Sequence, residues 1–215
     1  MSFWGYLGYE WDSLLELAIG HAIVVLISLA IATAIGITLG VLTYRRPAAA
    51  QVALAIASTI LTIPSFALFG IAIGIGLGLG YPPTIVVLTG YAILSILRNT
   101  IAGLRSVDPA TTESAKGMGM SNWQQLVRIE LPMAWPVIIA GIRVSALLIL
   151  GIATIAAYVG GPGFGEPIFE GLSTLGGVNS LNLVLSGMLG VMVLALVFEV
   201  LFAILGRSTT SKGLN

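Results

Sequence analysis

Few residues in this chain are equipped for chemistry. It has one histidine, His21, and no cysteine, which removes disulfides, thiolate metal sites and cysteine nucleophiles. No second metal-binding side chain lies near His21 in sequence, so it reads as a hydrogen-bonded histidine at the edge of an apolar segment rather than a ligand. There is no Gly-x4-Gly-Lys-Ser/Thr stretch and no acidic cluster for Mg²⁺, hence no nucleotide site of the usual kind. Catalytic residues, metals and cofactors are therefore not expected. Three features remain. Arg143 and Glu199 are charges set inside long apolar segments, where a guanidinium fork suits a carboxylate. Pro64 interrupts another apolar run. The longest polar stretch, Arg105 to Pro132, lies between two apolar runs.

The elements that position these residues are set by apolar length. Of 215 residues, 57% are hydrophobic and 8% charged, against roughly 25% charged in a soluble domain. A soluble enzyme and a nucleic-acid binder are excluded on that ground. The expected class is an all-α polytopic membrane protein in one domain, 1–215. A spanning helix needs about 20 apolar residues. The uncharged runs give five spans near 18–44, 52–77, 83–105, 133–158 and 181–206, with Gly78 to Pro83 as the turn between the second and third. Five spans put Arg45, Arg46, Arg98, Arg105, Lys116, Arg128, Arg207 and Lys212 on one side, opposite Glu10, Asp12, Glu166 and Glu170. The positive-inside rule then predicts an N-terminus outside and a cytoplasmic C-terminus. Phe3, Trp4, Leu7, Trp11, Leu14 and Leu15 fall on one helical face, which predicts an interfacial helix against membrane lipid before the first span. Gly36-x-x-x-Gly40, Gly70-x-x-x-Gly74 and Gly74-x-x-x-Gly78 predict close helix packing. Pro64 predicts a kink and a hinge at Ile63-Pro64-Ser65 within span 2.

The segment 106–132 is the longest polar stretch and reads as two short helices. Asp108 caps the first, with Pro109 at its first position, and Gly117 and Gly119 end it. Ser121 caps the second as a capping box with Gln124. Pro132 marks the break before span 4. Connectors between helices are usually shorter than this, so an ordered loop of this size suggests a docking surface for a soluble partner.

The spacing within that loop resembles the EAA loop of bacterial ABC importer permeases, Glu-Ala-Ala-x3-Gly-x9-Ile-x-Leu-Pro. Glu113, Ala115, Gly119, Ile129, Leu131 and Pro132 match it, with Ser114 in place of the first Ala. The five-span frame is similar to the small methionine-importer-like class. Within it, Leu61-Thr-Ile-Pro64-Ser65, Leu97-Arg98-Asn99-Thr100, Val107-Asp108-Pro109 and the run from Ala140 to Tyr158 resemble the osmoprotectant group (glycine betaine, choline, carnitine, proline betaine). That group usually shows Gly-Ala-Gly-Gly-Leu-Gly where this chain has Gly160-Gly-Pro162-Gly-Phe164-Gly165.

The resemblance implies a non-enzymatic permease subunit, energised by a separate cytoplasmic ATPase that receives the first loop helix at Glu113, with Ser114 small enough for the groove and Ala115, Gly117 and Gly119 permitting close approach. It also implies a second permease subunit, identical or different, and an extracytoplasmic solute-binding protein, with transport by alternating access. Quaternary ammonium groups favour aromatic faces. Phe66, Phe69, Tyr91, Tyr158 and Phe164 are candidate path-lining residues, with ordinary packing as the alternative reading of each. Methionine or another small polar solute would suit the same loop. An ion-coupled carrier or channel fits less well, since Arg143 and Glu199 are the only charges deep in the spans. These two lie roughly 16 Å and 12 Å from the basic end at 1.5 Å per residue. A contact between them, direct or through water, is expected to be buried and to join spans 4 and 5; the rival role for Arg143 is to meet a substrate carboxylate.

Overall fold

A computed structural model describes residues 1–209. Lys212, counted above with the basic side, lies outside them. The elements are α1 (Phe3–Tyr9), α2 (Trp11–Thr43), α3 (Pro47–Thr62), α4 (Ser65–Ala72), α5 (Tyr81–Arg105), α6 (Pro109–Gly117), α7 (Asn122–Gln125), α8 (Leu131–Ile155), α9 (Gly165–Ser173) and α10 (Ser180–Thr209). Among the described residues, four helical stretches are long and apolar enough to cross a membrane by themselves, and α3 with Ser65–Leu77 makes a bent pair that is apolar and long enough only together. The protein is an all-α polytopic membrane protein.

The chain is organised around α5. Its small and branched residues bury against α2 on one side and α8 on the other, with Ile96, Leu97 and Ile138 fully enclosed. Gly36 and Gly40 of α2 sit on Ile96 and Thr100: a Cβ at Gly40 would collide with the Thr100 side chain. Without side chains at these positions the two backbones approach closely. Gly141 of α8 does the same against Asn99 and the Ser95 carbonyl of α5. Ser145 adds a cross-link by donating to the Ala92 carbonyl at 2.7 Å. The second glycine series behaves differently. Gly70 and Gly74 face open space in this chain, and Gly76 and Gly78 adopt φ of 93° and 71° in the turn toward α5. The expected close packing of that series does not occur within the chain.

Span 2 differs from its expectation. The reading of 52–77 as one kinked helix is corrected: Pro47–Thr62 and Ser65–Leu77 meet at 96°. The cause is local. Proline disfavours the α region for the residue before it, and Ile63 is extended, with ψ 130°. Pro64 also lacks the N–H that would continue the ladder. At 16 residues, α3 is about 24 Å long, short of the roughly 30 Å hydrocarbon thickness.

The second correction concerns Pro132, which does not break the helix. The loop's second helix and span 4 run together from Asn122 to Val159 through a π-helical turn at Leu126–Glu130. In that wider turn the Leu131 N–H reaches back to the Leu126 carbonyl, and Pro132, in the first turn beyond it, loses little by lacking a donor. At the N-terminus, Glu10 closes α1, so Trp11, Leu14 and Leu15 belong to the long α2 rather than to the preceding surface helix. A short helix not expected from sequence, α9, packs along α10. There a Cβ at Gly187 would fall 2.7 Å from the Phe164 carbonyl. Helix α10 is the least enclosed of the spans.

Candidate functional site

The loop helix α6 is built as its caps dictate. The Asp108 carboxylate accepts the Ala110 N–H at 2.9 Å, with Pro109 in the first turn. Gly119, at φ 84°, turns the chain toward α7. Ser121 and Gln124 close the capping box reciprocally. Glu113, Ser114, Gly117 and Gly119 are exposed, and both glycines have open space where a side chain would stand. Ala115 points the other way. It is fully buried, and its carbonyl accepts the Met120 N–H at 3.1 Å, so its smallness serves packing inside this chain rather than close approach from outside. Beside Glu113 the loop exposes two large apolar side chains, Met118 (72%) and Trp123 (70%). Neither was singled out from sequence, although an apolar pair within a capped polar loop is a usable signal for a partner surface. Ile129 and Leu131 are half-buried in the joint to α8, and Pro132 is exposed.

At the base of α8 four side chains converge. Glu130 is buried, 5% exposed. Its carboxylate accepts from the Tyr44 hydroxyl and from Arg45 Nη2, the latter at 2.9 Å. Arg105 Nε donates to the Tyr44 carbonyl at 2.8 Å. The ends of α2 and α5 and the start of α8 are thereby joined. Sequence spacing gave no hint of this cluster, since its members are 61 and 85 or 86 positions apart.

At the break in span 2, the Tyr91 hydroxyl donates to the carbonyl of Ile63, which has lost its place in the helical ladder. Tyr91 is buried and so occupied. Phe69 and Phe164 are buried as well, Phe164 against Gly190. Of the five aromatic candidates, Phe66 and Tyr158 stay open. They meet edge to face with ring centroids 4.9 Å apart, and Tyr158 also meets Phe169 at 5.5 Å. Pro64 is exposed and Ser65 half-buried beside them. His21 is enclosed: Phe164 N–H donates to Nδ1 at 3.2 Å, leaving Nε2 to donate to the Leu150 carbonyl at 3.1 Å. With both nitrogens engaged the ring is a brace for the loop after α8.

Arg143 Nε donates to Glu199 Oε2 at 2.9 Å, and a second guanidinium nitrogen meets Oε1. The geometry is that of a two-pronged pair. The expectation of burial is corrected: the side chains are 43% and 36% exposed on the surface of the chain, beside a cleft of about 360 Å³ that also reaches Arg207. Helix α10 is peripheral, so the pair has no third helix to cover it. Among the described residues, no group of three or more histidine or acidic side chains could hold a metal.

Comparison with known proteins gives the family. Residues 32–211 match the family described as binding-protein-dependent transport system inner membrane component. The chain is 39% identical over 195 residues to the carnitine transport permease protein OpuCB of Listeria monocytogenes, covering 91% of this chain and 87% of that one. It is 37% identical over 206 residues to the osmoprotectant import permease protein OsmW of Salmonella typhimurium, covering 94% of each. Its fold is similar to that of a chain of the MetNI methionine ABC transporter in inward-facing conformations, with TM-score 0.79 and 22% identity over 92% of this chain and 96% of that one. A family match over residues 32–211, joined by relatives covered nearly end to end, means that this chain belongs to the inner membrane components of binding-protein-dependent transport systems, the permeases of ABC importers.

Proposed function

We propose that this permease imports a quaternary-ammonium osmoprotectant such as glycine betaine, choline or carnitine. The observation that carries the reading is the likeness, over nine tenths of the chain, to permeases named for carnitine, choline and osmoprotectant import. Helix α6 docks on a cytoplasmic ATPase through Glu113, Ser114, Gly117 and Gly119, with Met118 and Trp123 supplying apolar contact. ATP binding moves this loop, and the bundle alternates between its two openings. A second permease subunit completes the path, and a binding protein delivers solute to the acidic face near Glu166 and Glu170. The N-terminus is outside and the C-terminus cytoplasmic, as the basic residues require.

Pro64 and Ser65 form the hinge of the path. Phe66 and Tyr158 line it, the open pair of aromatic faces suiting a cation without hydrogen-bond donors. Tyr91 supports the hinge from behind rather than lining the path. Arg143 and Glu199 hold spans 4 and 5 together. The test is uptake of labelled glycine betaine by the assembled complex in proteoliposomes, with unlabelled choline, carnitine and methionine as competitors. Competition by the quaternary amines and not by methionine is expected. The reverse pattern would transfer the protein to another small-solute group of the same family.

A further inference from the structure

We infer that Glu130 is a positioning residue for energy coupling: it makes the base of α8 move as one body with the ends of α2 and α5 when the loop is displaced. The inference rests on the reading of α6 as the ATPase dock.

A displacement of α6 has a continuous route to Glu130. The Met120 N–H is bound to the Ala115 carbonyl of α6 at 3.1 Å, and Gln125, buried in α7, donates from Nε2 to the Met120 carbonyl at 2.8 Å. From Gln125 the helix runs directly into the π turn Leu126–Glu130. A π turn is the poorly bonded stretch of a helix and the place where it yields most readily. Left alone, it would absorb motion arriving from the loop. Glu130 is its last residue, and its carboxylate is held from the opposite wall by Tyr44 and Arg45.

Each partner has a reason to be there. Arg45 follows the C-terminus of α2, and its guanidinium lies 5.2 Å over the Tyr44 ring. Arg105 ends α5, where a cation is favoured by the helix dipole, and its bond to the Tyr44 carbonyl satisfies one of the acceptors left over at the end of α2. A carboxylate with two charge-assisted or hydroxyl donors in a buried site is hard to pull away, because separation strands its charge. The yielding turn is therefore bridged at its far end, and the motion continues into three spans instead of ending in one. Conservation of shape at this joint alone would need no charge; an apolar contact would pack it.

The experiment uses the full complex with ATPase and binding protein in proteoliposomes, comparing the unaltered chain with Glu130→Gln, Glu130→Ala and Tyr44→Phe. Three quantities are read: co-purified ATPase, basal ATP hydrolysis, and solute carried per ATP hydrolysed. For Glu130→Ala, which removes both bonds to the carboxylate, co-purification and basal hydrolysis are expected to persist while solute per ATP falls at least roughly tenfold, the scale of a single lost hydrogen bond to a charged group. Glu130→Gln keeps one acceptor and should fall less. Tyr44→Phe removes one bond while Arg45 still holds the carboxylate, so it keeps the test alive if Glu130→Ala does not fold. Stimulation of hydrolysis by the loaded binding protein should weaken in parallel. Transport and hydrolysis falling in proportion, unchanged solute per ATP, or loss of ATPase from Glu130→Gln would each overturn the inference and leave Glu130 a static brace. Failure of the docking reading has a different signature: ATPase that remains bound when α6 itself is blocked at Gly117.

Discussion

Arg143 and Glu199 show how much a single pair can be asked to do. In hydrocarbon each charge alone costs at least ~2.5–3.5 kcal/mol on insertion scales, and their two-pronged contact offsets much of that. Arg143→Met should therefore lower the yield of folded protein more than Arg143→Met combined with Glu199→Leu, because the double change leaves no carboxylate unpaired. Yield and thermal unfolding of the detergent-purified protein measure this, and a double variant no better than the single would remove pairing as the reason for the charges. Tyr91 offers a second residue-scale case. Tyr91→Phe strands the Ile63 carbonyl at the break of span 2. A buried unpaired acceptor costs about 1–3 kcal/mol and a part-buried one less, so the unfolding temperature should drop modestly while the ring's packing is kept. An unchanged unfolding temperature would mean that another donor takes its place.

Among the elements, the bent span α3–α4 and the loop helix α6 carry the strongest expectations. Pro64→Ala relieves the steric exclusion that holds Ile63 extended and restores a donor. The two limbs should straighten in part, and transport should slow more than expression falls. Transport at the unaltered rate would reduce Pro64 to a packing residue. In α6 the choice of variant matters. Gly119 has φ 84°, so a large residue there adds backbone strain to bulk and mixes two effects. Gly117 is helical and faces open space, so Gly117→Trp adds bulk alone. That substitution should abolish co-purification of the ATPase while the spans still insert. Met118 and Trp123 should also contribute, since exposed apolar residues in an otherwise capped and polar loop are where a partner gains most from burial.

For the molecule as a whole, orientation is the property open to the most direct test. The chain has no cysteine, so single cysteines can be introduced without background. A membrane-impermeant maleimide applied to intact cells should label Ser2→Cys and not Lys116→Cys. The reverse pattern would invert the topology and with it the positions assigned to ATPase and binding protein. The half-exposed Arg143–Glu199 pair and the thinly covered α10 belong to this scale as well. One chain does not enclose its own charges, which supports a path completed by a second subunit.

What the sequence determined by itself was what can be read along one dimension. Apolar run lengths gave four long helices and a fifth, broken stretch, and capping chemistry gave α6 and α7. Counting residues at 1.5 Å each brought Arg143 and Glu199 to similar depth, and they meet. Tertiary structure decided everything that depends on which way a helix face turns. Ala115 faces inward while its neighbours face out, Tyr91 and Phe164 are enclosed while Phe66 and Tyr158 are open, and the ion pair lies at the surface. Pro64 and Pro132 make the point most sharply. The same residue type breaks a helix at a right angle in one place and is passed without a break in the other, because a π turn lies just ahead of it. Glu130 joins Tyr44 and Arg45 across more than eighty residues, a distance at which spacing carries no information and only the packing of α2, α5 and α8 brings the groups together.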